Sequence, residues 1–345
     1  MAIEAIVFDV SGTLLTDDGT AQPGVEQMLD ELRGLGLIVI AASNDPVEWK
    51  LHQAGLLGSI DHVVERSDVG IAKRSPRWVT KFVELTNLQP HQMFYIGDSD
   101  NDMITASWGP MIYAHAVWSS DPGPYGLHAL TPQWVVNVIT YIFRKRHPWY
   151  WTLDATDGLG RPVRAMTLID ADGAGSPRAR QRLLWLLKDN IDSKINPTPM
   201  TLREFVMLQM LSSVYHENLF GGADYWTTYP GHDGAPNSVM GDFLDIAAKL
   251  SRNKYKNDLL FRHTPAMKSK QARDLRGPVG ALRNQLETVN VGAQYRKKLA
   301  NKRVILLDNF LTMGYSTESG RTLLLNAGAS EVVVACVGKY GQRIS

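Results

Sequence analysis

The chain has 345 residues, 44% apolar and 21% charged, with 36 basic side chains against 35 acidic ones. That length suits two domains, and the composition is that of an ordinary folded protein. A formal net charge of +1 argues against a dedicated nucleic-acid surface. The single cysteine, Cys336, excludes a disulfide framework and reads as a buried structural thiol. No apolar run is long enough to span a bilayer, and the N-terminus enters a strand pattern with no leader. A cytoplasmic protein is expected.

In chain order, Ala2 to Val10 reads as a buried strand ending in Asp9, followed by Ser11-Gly12-Thr13. A second apolar strand, Leu37 to Ala42, ends in Ser43-Asn44-Asp45. Lys73 lies in GIAKRSP, and a third strand, Met93 to Ile96, runs into Gly97-Asp98-Ser99-Asp100-Asn101-Asp102. Helical patterns, such as Gly24 to Leu35 and Pro76 to Thr86, fill the intervals. Alternating strands and helices, with each polar cluster at a strand's C-terminal end, predict a doubly wound parallel sheet. Hard oxygen ligands there suit Mg2+, and the lysine would neutralise a phosphoryl group.

These four clusters, in this order, resemble the haloacid dehalogenase superfamily over about residues 1 to 145. The resemblance implies that Asp9 is a nucleophile forming an aspartyl-phosphate. It implies that Ser43 contacts the phosphate and Lys73 stabilises it. Asp9, Asp98 and Asp102, with the backbone carbonyl of Ser11, would hold Mg2+. Phosphatases of that superfamily usually carry a second aspartate where this chain has Ser11, as a general acid and base. Serine cannot cycle a proton at neutral pH as a carboxylate does, although some phosphatase branches, including one acting on pyrophosphate, carry it here. Only about thirty residues separate Thr13 from Ser43, and Asn44 from Lys73, so neither gap holds a cap domain. An open site is expected.

The middle of the chain carries an aromatic cluster, His147-Pro148-Trp149-Tyr150-Trp151, which reads as packing surface more than as a base-stacking platform. Asp154 to Arg161, rich in turn residues, is the expected linker. Asp170 and Asp172 read as a strand ending in a turn in preference to a metal site. The expected boundaries are 1–147 for the first domain, 148–200 for a linker and interface segment, and 201–345 for the second.

In the second domain a helical stretch from Leu202 precedes a strand, Asp224 to Tyr229, and a turn, Pro230 to Pro236. A helix, Val239 to Leu250, and a short strand, Asp258 to Arg262, come next. The following segment carries Lys268, Lys270, Arg273, Arg276 and Arg283. It reads either as a solvated basic face or as a mobile loop closing over a pyrophosphate. The apolar run Val304 to Leu307 then breaks into Asp308 and Asn309. A turn through Thr312, Met313, Gly314, Tyr315 and Ser316 opens a helix, Thr317 to Asn326. Backbone N–H groups at such a turn, with a helix N-terminus behind them, suit a phosphate monoester.

This strand and turn resemble the ribose-phosphate signature of type I phosphoribosyltransferases. By that resemblance Asp308 and Asn309 would hold ribose hydroxyls, and Thr312 to Ser316 would hold the 5′-phosphate of phosphoribosyl pyrophosphate. Asn309 stands in place of a second acid and Met313 in place of a second threonine. Asparagine can hydrogen-bond a hydroxyl but brings no charge. The order of Pro turn, Gln271 with Arg276, and signature strand most resembles the competence-factor F type.

The expected protein therefore has two α/β domains. The first is a capless phosphohydrolase domain like that of haloacid dehalogenases, and the second is phosphoribosyltransferase-like. The expected activity is a Mg2+-dependent bifunctional one on small phosphorylated molecules: phosphoribosyl pyrophosphate, pyrophosphate or nucleotides. Alternatives are a non-catalytic sensor of such ligands, and an active phosphatase with a structural second domain. No membrane or nucleic acid is expected, and a homo-oligomer is compatible with the sequence.

Overall fold

The computed structural model describes residues 3–109, 111–120, 127–144, 149–170, 201–216, 222–235, 240, 244 and 255–339. The chain divides into two compact units, one built on Met1–His147 and the other beginning at Pro148.

The first unit is a six-stranded sheet. Its strands are β1 (Ala5–Asp9), β2 (Ile38–Ser43), β3 (His62–Glu65), β4 (Met93–Gly97), β5 (Ile112–Ala116) and β6 (Leu127–Ala129). Their spatial order is β3-β2-β1-β4-β5-β6, and every pairing is parallel. A central parallel strand is covered on both faces, which is why β1 reads as an unbroken buried run. On one face Ala5, Val7, Ile40, Ala42 and Tyr95 pack against Trp78, Val79 and Phe82 of helix α4 (Pro76–Thr86). Sequence sets that helix's start: Ser75 accepts the backbone N–H of Arg77, and Pro76 occupies the first turn. Helix α1 (Val25–Gly34) buries Val25, Met28, Leu29 and Leu32 at helical spacing. Only short helices and turns lie between β1 and β2 and between β2 and β3, so no cap is inserted there.

The second unit holds β7 (Trp151–Thr156), β8 (Pro162–Asp170), β9 (Tyr225–Thr228), β12 (Arg303–Leu311) and β13 (Glu331–Lys339), in the order β7-β8-β13-β12-β9. All neighbours are parallel except the β7–β8 hairpin. Strands β10 (Leu260–Arg262) and β11 (Val289–Val291) form a separate antiparallel ribbon. Val304, Leu306, Val332, Val334 and Cys336 build the core with Leu260, Val289 and Leu324. Cys336 is fully buried, and burial pushes its thiol well up.

The structure corrects several expectations. Asp154 to Arg161 is not a linker: it ends β7 and turns into β8, with Asp157 accepting the N–H groups of Leu159 and Arg161 at 2.9 Å each. Hairpin turns and linkers share the same Asp/Gly signature, so composition alone cannot separate them. The basic segment after His263 is not a loop but a helix, Ser269–Leu286, broken at Gly277 (φ 69°) ahead of Pro278. Its buried side chains, Ala272, Ala281, Asn284 and Gln285, form the inward stripe that makes it helical. Strand β12 runs on through Asp308 and Asn309 to Leu311, and the following helix begins at Tyr315, two residues early. The aromatic cluster contributes Trp151 to β7, with the Lys339 ammonium 4.3 Å from its ring centre. His147, Pro148, Asp172 and Pro236 lie outside the described residues, as does Val239 to Leu250 apart from the helical Met240 and Leu244. Among the described residues no helix is long and apolar enough to cross a membrane.

Arg321 ties the β7–β8 turn to the helix Tyr315–Asn326. Almost wholly buried, it bonds Asp157 Oδ2 at 2.8 Å, Glu318 Oε2 at 2.9 Å and the Pro162 carbonyl at 3.0 Å. Removing the buried guanidinium takes away its packing and all three of these bonds. Arg321→Ala is therefore expected to cost more in urea unfolding than Arg164→Ala, which at an exposed pair should cost about 0–1 kcal/mol. Equal losses would contradict this ranking.

Candidate active site

Strand β1 is the switch point of the first sheet: the chain moves out through β2 and β3 on one side, then returns to β4 on the other. Ligands bind in the crevice outside the strand ends at such a point. Asp9 closes β1, Ser43 closes β2, and Asp98 follows β4 directly. The four sequence clusters thus reach one edge, and three carboxylates meet there. Asp9, Asp98 and Asp102 each bring an oxygen within 4.8 Å of the others.

Lys73 is the counter-charge. Its ammonium pairs with Asp9 and donates to Asp102 Oδ1 at 2.7 Å, with both partners buried. The loop carrying it is tethered by its own N–H to Asn44 Oδ1 at 2.8 Å. Burial would lower the lysine's pKa, but Asp102 and Asp9 more than offset it and the net shift is upward. The carboxylates are undercompensated. Burial, then repulsion from Asp102, pushes Asp9 up to about 7 in spite of Lys73. The same two causes push Asp98 up to about 6. Three acids against one base in a desolvated crevice is a donor set that fits a hard divalent cation such as Mg2+.

Asp102 is the most heavily engaged of the three. It accepts from Lys73 and from the Tyr95 phenol (3.0 Å) on Oδ1, and from Ser99 on Oδ2. Gly12 is needed for close approach. It sits at φ 82°, and a Cβ there would lie 2.0 Å from Asp98 Oδ2. Ser11, beside it, is exposed and bridges in strand fashion to Leu15. Ser43 is buried, its Oγ accepting the Asp45 N–H at 3.1 Å. Sequence reasoning passed over Tyr95, Tyr113 and His115, and placed Asn44 and Ser99 in the polar clusters without a role of their own. The signal was available for the first three: Tyr95 in MFYIG, and Tyr113 with His115 in IYAHA, are polar-tipped groups inside fully buried strands.

In the second unit, β9 pairs with β12 only as far as Leu307, so Asp308 is the first residue past the end of that neighbour. It is partly exposed, yet enough protein surrounds it that burial lifts its carboxyl to about 7. It accepts the Asn309 N–H at 2.8 Å, while the Asn309 side-chain oxygen is buried without a hydrogen bond. Thr312 and Met313 are exposed, and Gly314 caps the helix Tyr315–Asn326 in a left-handed conformation (φ 77°). Tyr315 and Ser316 form that helix's first turn, where backbone N–H groups lack intrahelical partners. The turn after β9 leaves the same sheet edge, held by Gly231 N–H to the Ala235 carbonyl and by Arg262 Nε to the Gly231 carbonyl at 2.7 Å.

Residues 15–108 match the family described as haloacid dehalogenase-like hydrolase. Ser43, Lys73, Asp98 and Asp102 lie inside that match, and Asp9 precedes it. Among solved structures, the chain is similar to a HAD phosphatase from Thermococcus onnurineus, with 17% identity over 39% of this chain and 97% of that one, at a TM-score of 0.37. It is also similar to a HAD-superfamily hydrolase of subfamily IA from Geobacter sulfurreducens PCA (15% identity, 40% and 100% of the two chains, TM-score 0.36). A third is an L-2-haloacid dehalogenase from Xanthobacter autotrophicus with chloropropionic acid covalently bound (16%, 34% and 79%, TM-score 0.31). No curated protein matches the chain. The N-terminal region is a haloacid dehalogenase-like hydrolase domain on a six-stranded parallel sheet.

The raised carboxyls give a signed prediction. Between about pH 4 and about pH 7 the folded site holds protons that the unfolded chain has released, so stability falls as pH rises through that window. A bound divalent cation relieves that loss. MgCl2 should therefore raise the melting temperature more at about pH 8 than at about pH 5, read by scanning calorimetry. An equal gain at both would contradict the charge balance described here.

Proposed function

We propose that the first domain is a Mg2+-assisted phosphohydrolase in which Asp9 is the nucleophile. The observation that carries this is the buried Lys73 bridging Asp9 and Asp102 at the mouth of the sheet, with Asp98 beside them. An Asp9 carboxylate oxygen attacks phosphorus, and the bond to the leaving-group oxygen breaks with its electron pair. Water then attacks phosphorus of the aspartyl-phosphate, releasing inorganic phosphate and restoring the carboxylate. Lys73 neutralises phosphoryl charge throughout, and Ser43 is the candidate donor to a phosphoryl oxygen. Asp9, Asp98, Asp102 and the Ser11 carbonyl would hold Mg2+, which would supply further positive charge to the transferring group.

Ser11 shapes the substrate class. With no carboxyl at that position, the leaving group must depart without a donated proton, which favours phosphoanhydrides such as pyrophosphate over alkyl monoesters. General-acid catalysis is worth roughly 10²–10⁴-fold, so Ser11→Asp should raise turnover of alkyl phosphates by about 10²-fold relative to that of pyrophosphate, whose leaving group needs no proton. The primary test is phosphate release from pyrophosphate, phosphoribosyl pyrophosphate and nucleoside monophosphates with Mg2+, comparing wild type with Asp9→Asn. Release by wild type that disappears in Asp9→Asn is expected; release that survives the substitution would overturn the assignment.

The second domain supports a separate reading, as a phosphoribosyl-binding and transferase module. What favours it is the Asp308–Asn309 pair followed by a Gly314-capped helix at the edge where the turn after β9 also ends. Asp308 and Asn309 would face ribose hydroxyls, and Thr312, Met313, Gly314, Tyr315 and Ser316 would wrap the 5′-phosphate. Calorimetry with phosphoribosyl pyrophosphate should show binding that Asp308→Ala weakens by at least about tenfold, a loss of about 1.4 kcal/mol. Binding without pyrophosphate release across a panel of bases would favour a sensor over a transferase. No binding would leave the phosphohydrolase with a structural second domain.

A further inference from the structure

Behind the acidic site lies a hydrogen-bond chain that the proposed chemistry does not use. Strand β5 reads Tyr113-Ala114-His115, so Tyr113 and His115 share one face, and His115 stands opposite Gly97 in the parallel pairing with β4. Both side chains are buried. The Tyr113 hydroxyl is 3.0 Å from the Gly97 carbonyl, 3.4 Å from the Ser99 carbonyl and 3.3 Å from His115 Nδ1. His115 Nε2 is 3.0 Å from Ser120 Oγ, which is 3.4 Å from the Asp98 carbonyl. The carbonyls of residues 97, 98 and 99 therefore face two hydroxyls, and both hydroxyls rest on one imidazole.

Counting protons orders this chain. A neutral imidazole donates from one nitrogen and accepts at the other. If Tyr113 donates to Gly97, its shortest contact, its oxygen is left to accept from His115 Nδ1–H, and Nε2 then accepts the Ser120 hydroxyl. All the bonds then run head to tail, from Ser120 through His115 and Tyr113 to the Gly97 carbonyl, an arrangement in which each polarises the next. The opposite tautomer ends instead on the 3.4 Å contact to Asp98. The shorter contacts favour the Nδ1–H form. The bonded carbonyl belongs to the peptide that leads into Asp98. The Oδ2 of that aspartate occupies the space a side chain at residue 12 would take.

We propose that His115 is a positioning residue which, through Tyr113, holds the Gly97 carbonyl, and with it the peptide leading into Asp98, so that the Asp98 carboxylate meets the cation in one orientation. This rests on the reading of Asp98 as a cation ligand. Outer-shell partners of this kind are worth about 10–100-fold in metal affinity.

The test is Mg2+ titration calorimetry on the metal-free full chain, backed by the Mg2+ dependence of turnover. His115→Leu and Tyr113→Phe are each expected to weaken Mg2+ binding by about tenfold or more. His115→Gln, which keeps one donor and one acceptor, should stay within about threefold of wild type. Tyr113→Phe removes a single oxygen, so it reports even if His115→Leu fails to fold. Asp98→Asn separates the two levels of the argument. If it binds Mg2+ as wild type does, the ligand reading fails and the proposal with it. If Asp98→Asn is impaired while Tyr113→Phe binds normally, or His115→Gln is as impaired as His115→Leu, positioning alone is overturned and His115 is a packing residue.

Discussion

Three carboxylates and one ammonium, gathered where β1, β2 and β4 end, set the constraint on which the first domain depends. Desolvation makes each charge expensive, and Lys73 can compensate only part of the negative charge of Asp9, Asp98 and Asp102. The fold accepts this deficit by making the surroundings rigid. Lys73 is fixed by Asn44 through its backbone and by two acids through its ammonium. Asp102 is held by Lys73, Tyr95 and Ser99 together. On the proposed function, a site short of positive charge would receive a cation and a phosphoryl group in a frame already held by these bonds, which is where electrostatic catalysis originates.

The same constraint explains features that look unrelated in the sequence. Gly12 is there because any side chain would meet Asp98. Tyr95 and Tyr113 are buried phenols, with raised pKa values that keep them neutral donors beside the acids. No cap is inserted after β1 or β2, because the β1–β2 and β2–β3 connections carry only the elements needed to cross between strands.

Much of this was legible from residue order. Asp9 and Ser43 end strands, Asp98 follows β4 directly, and Lys73 lies in the loop before the helix Pro76–Thr86; strand ends in an alternating β/α chain converge without further information. What sequence could not supply was distance and depth. Nothing in IYAHA says that Tyr113 and His115 lie behind the Asp98 loop and not at some other buried position, because register between β4 and β5 is a tertiary fact. The Asp154–Arg161 turn was misread because Asp157 and Gly158 favour tight turns whether the next segment pairs back or leads away. Of the two readings of the basic segment, the loop fails and the solvated basic face stands, with Lys268, Arg276 and Arg283 exposed; its charges outweigh the few buried positions, Ala272, Ala281 and Gln285, that make it a helix. In the second domain, Asp308 and Gly314 stood out in sequence, yet β12 continuing past Asp308 depends on its pairing with β13 as far as Lys339.

If Asp9 is the nucleophile, it becomes covalently phosphorylated during turnover. Rapid acid quenching of the wild-type enzyme during turnover of radiolabelled pyrophosphate, followed by peptide mapping of the label, tests this. A hydroxylamine-labile phosphoryl group is expected on the peptide containing Asp9, and none in Asp9→Asn. Turnover with no label on that peptide, or with label on another residue, would contradict it.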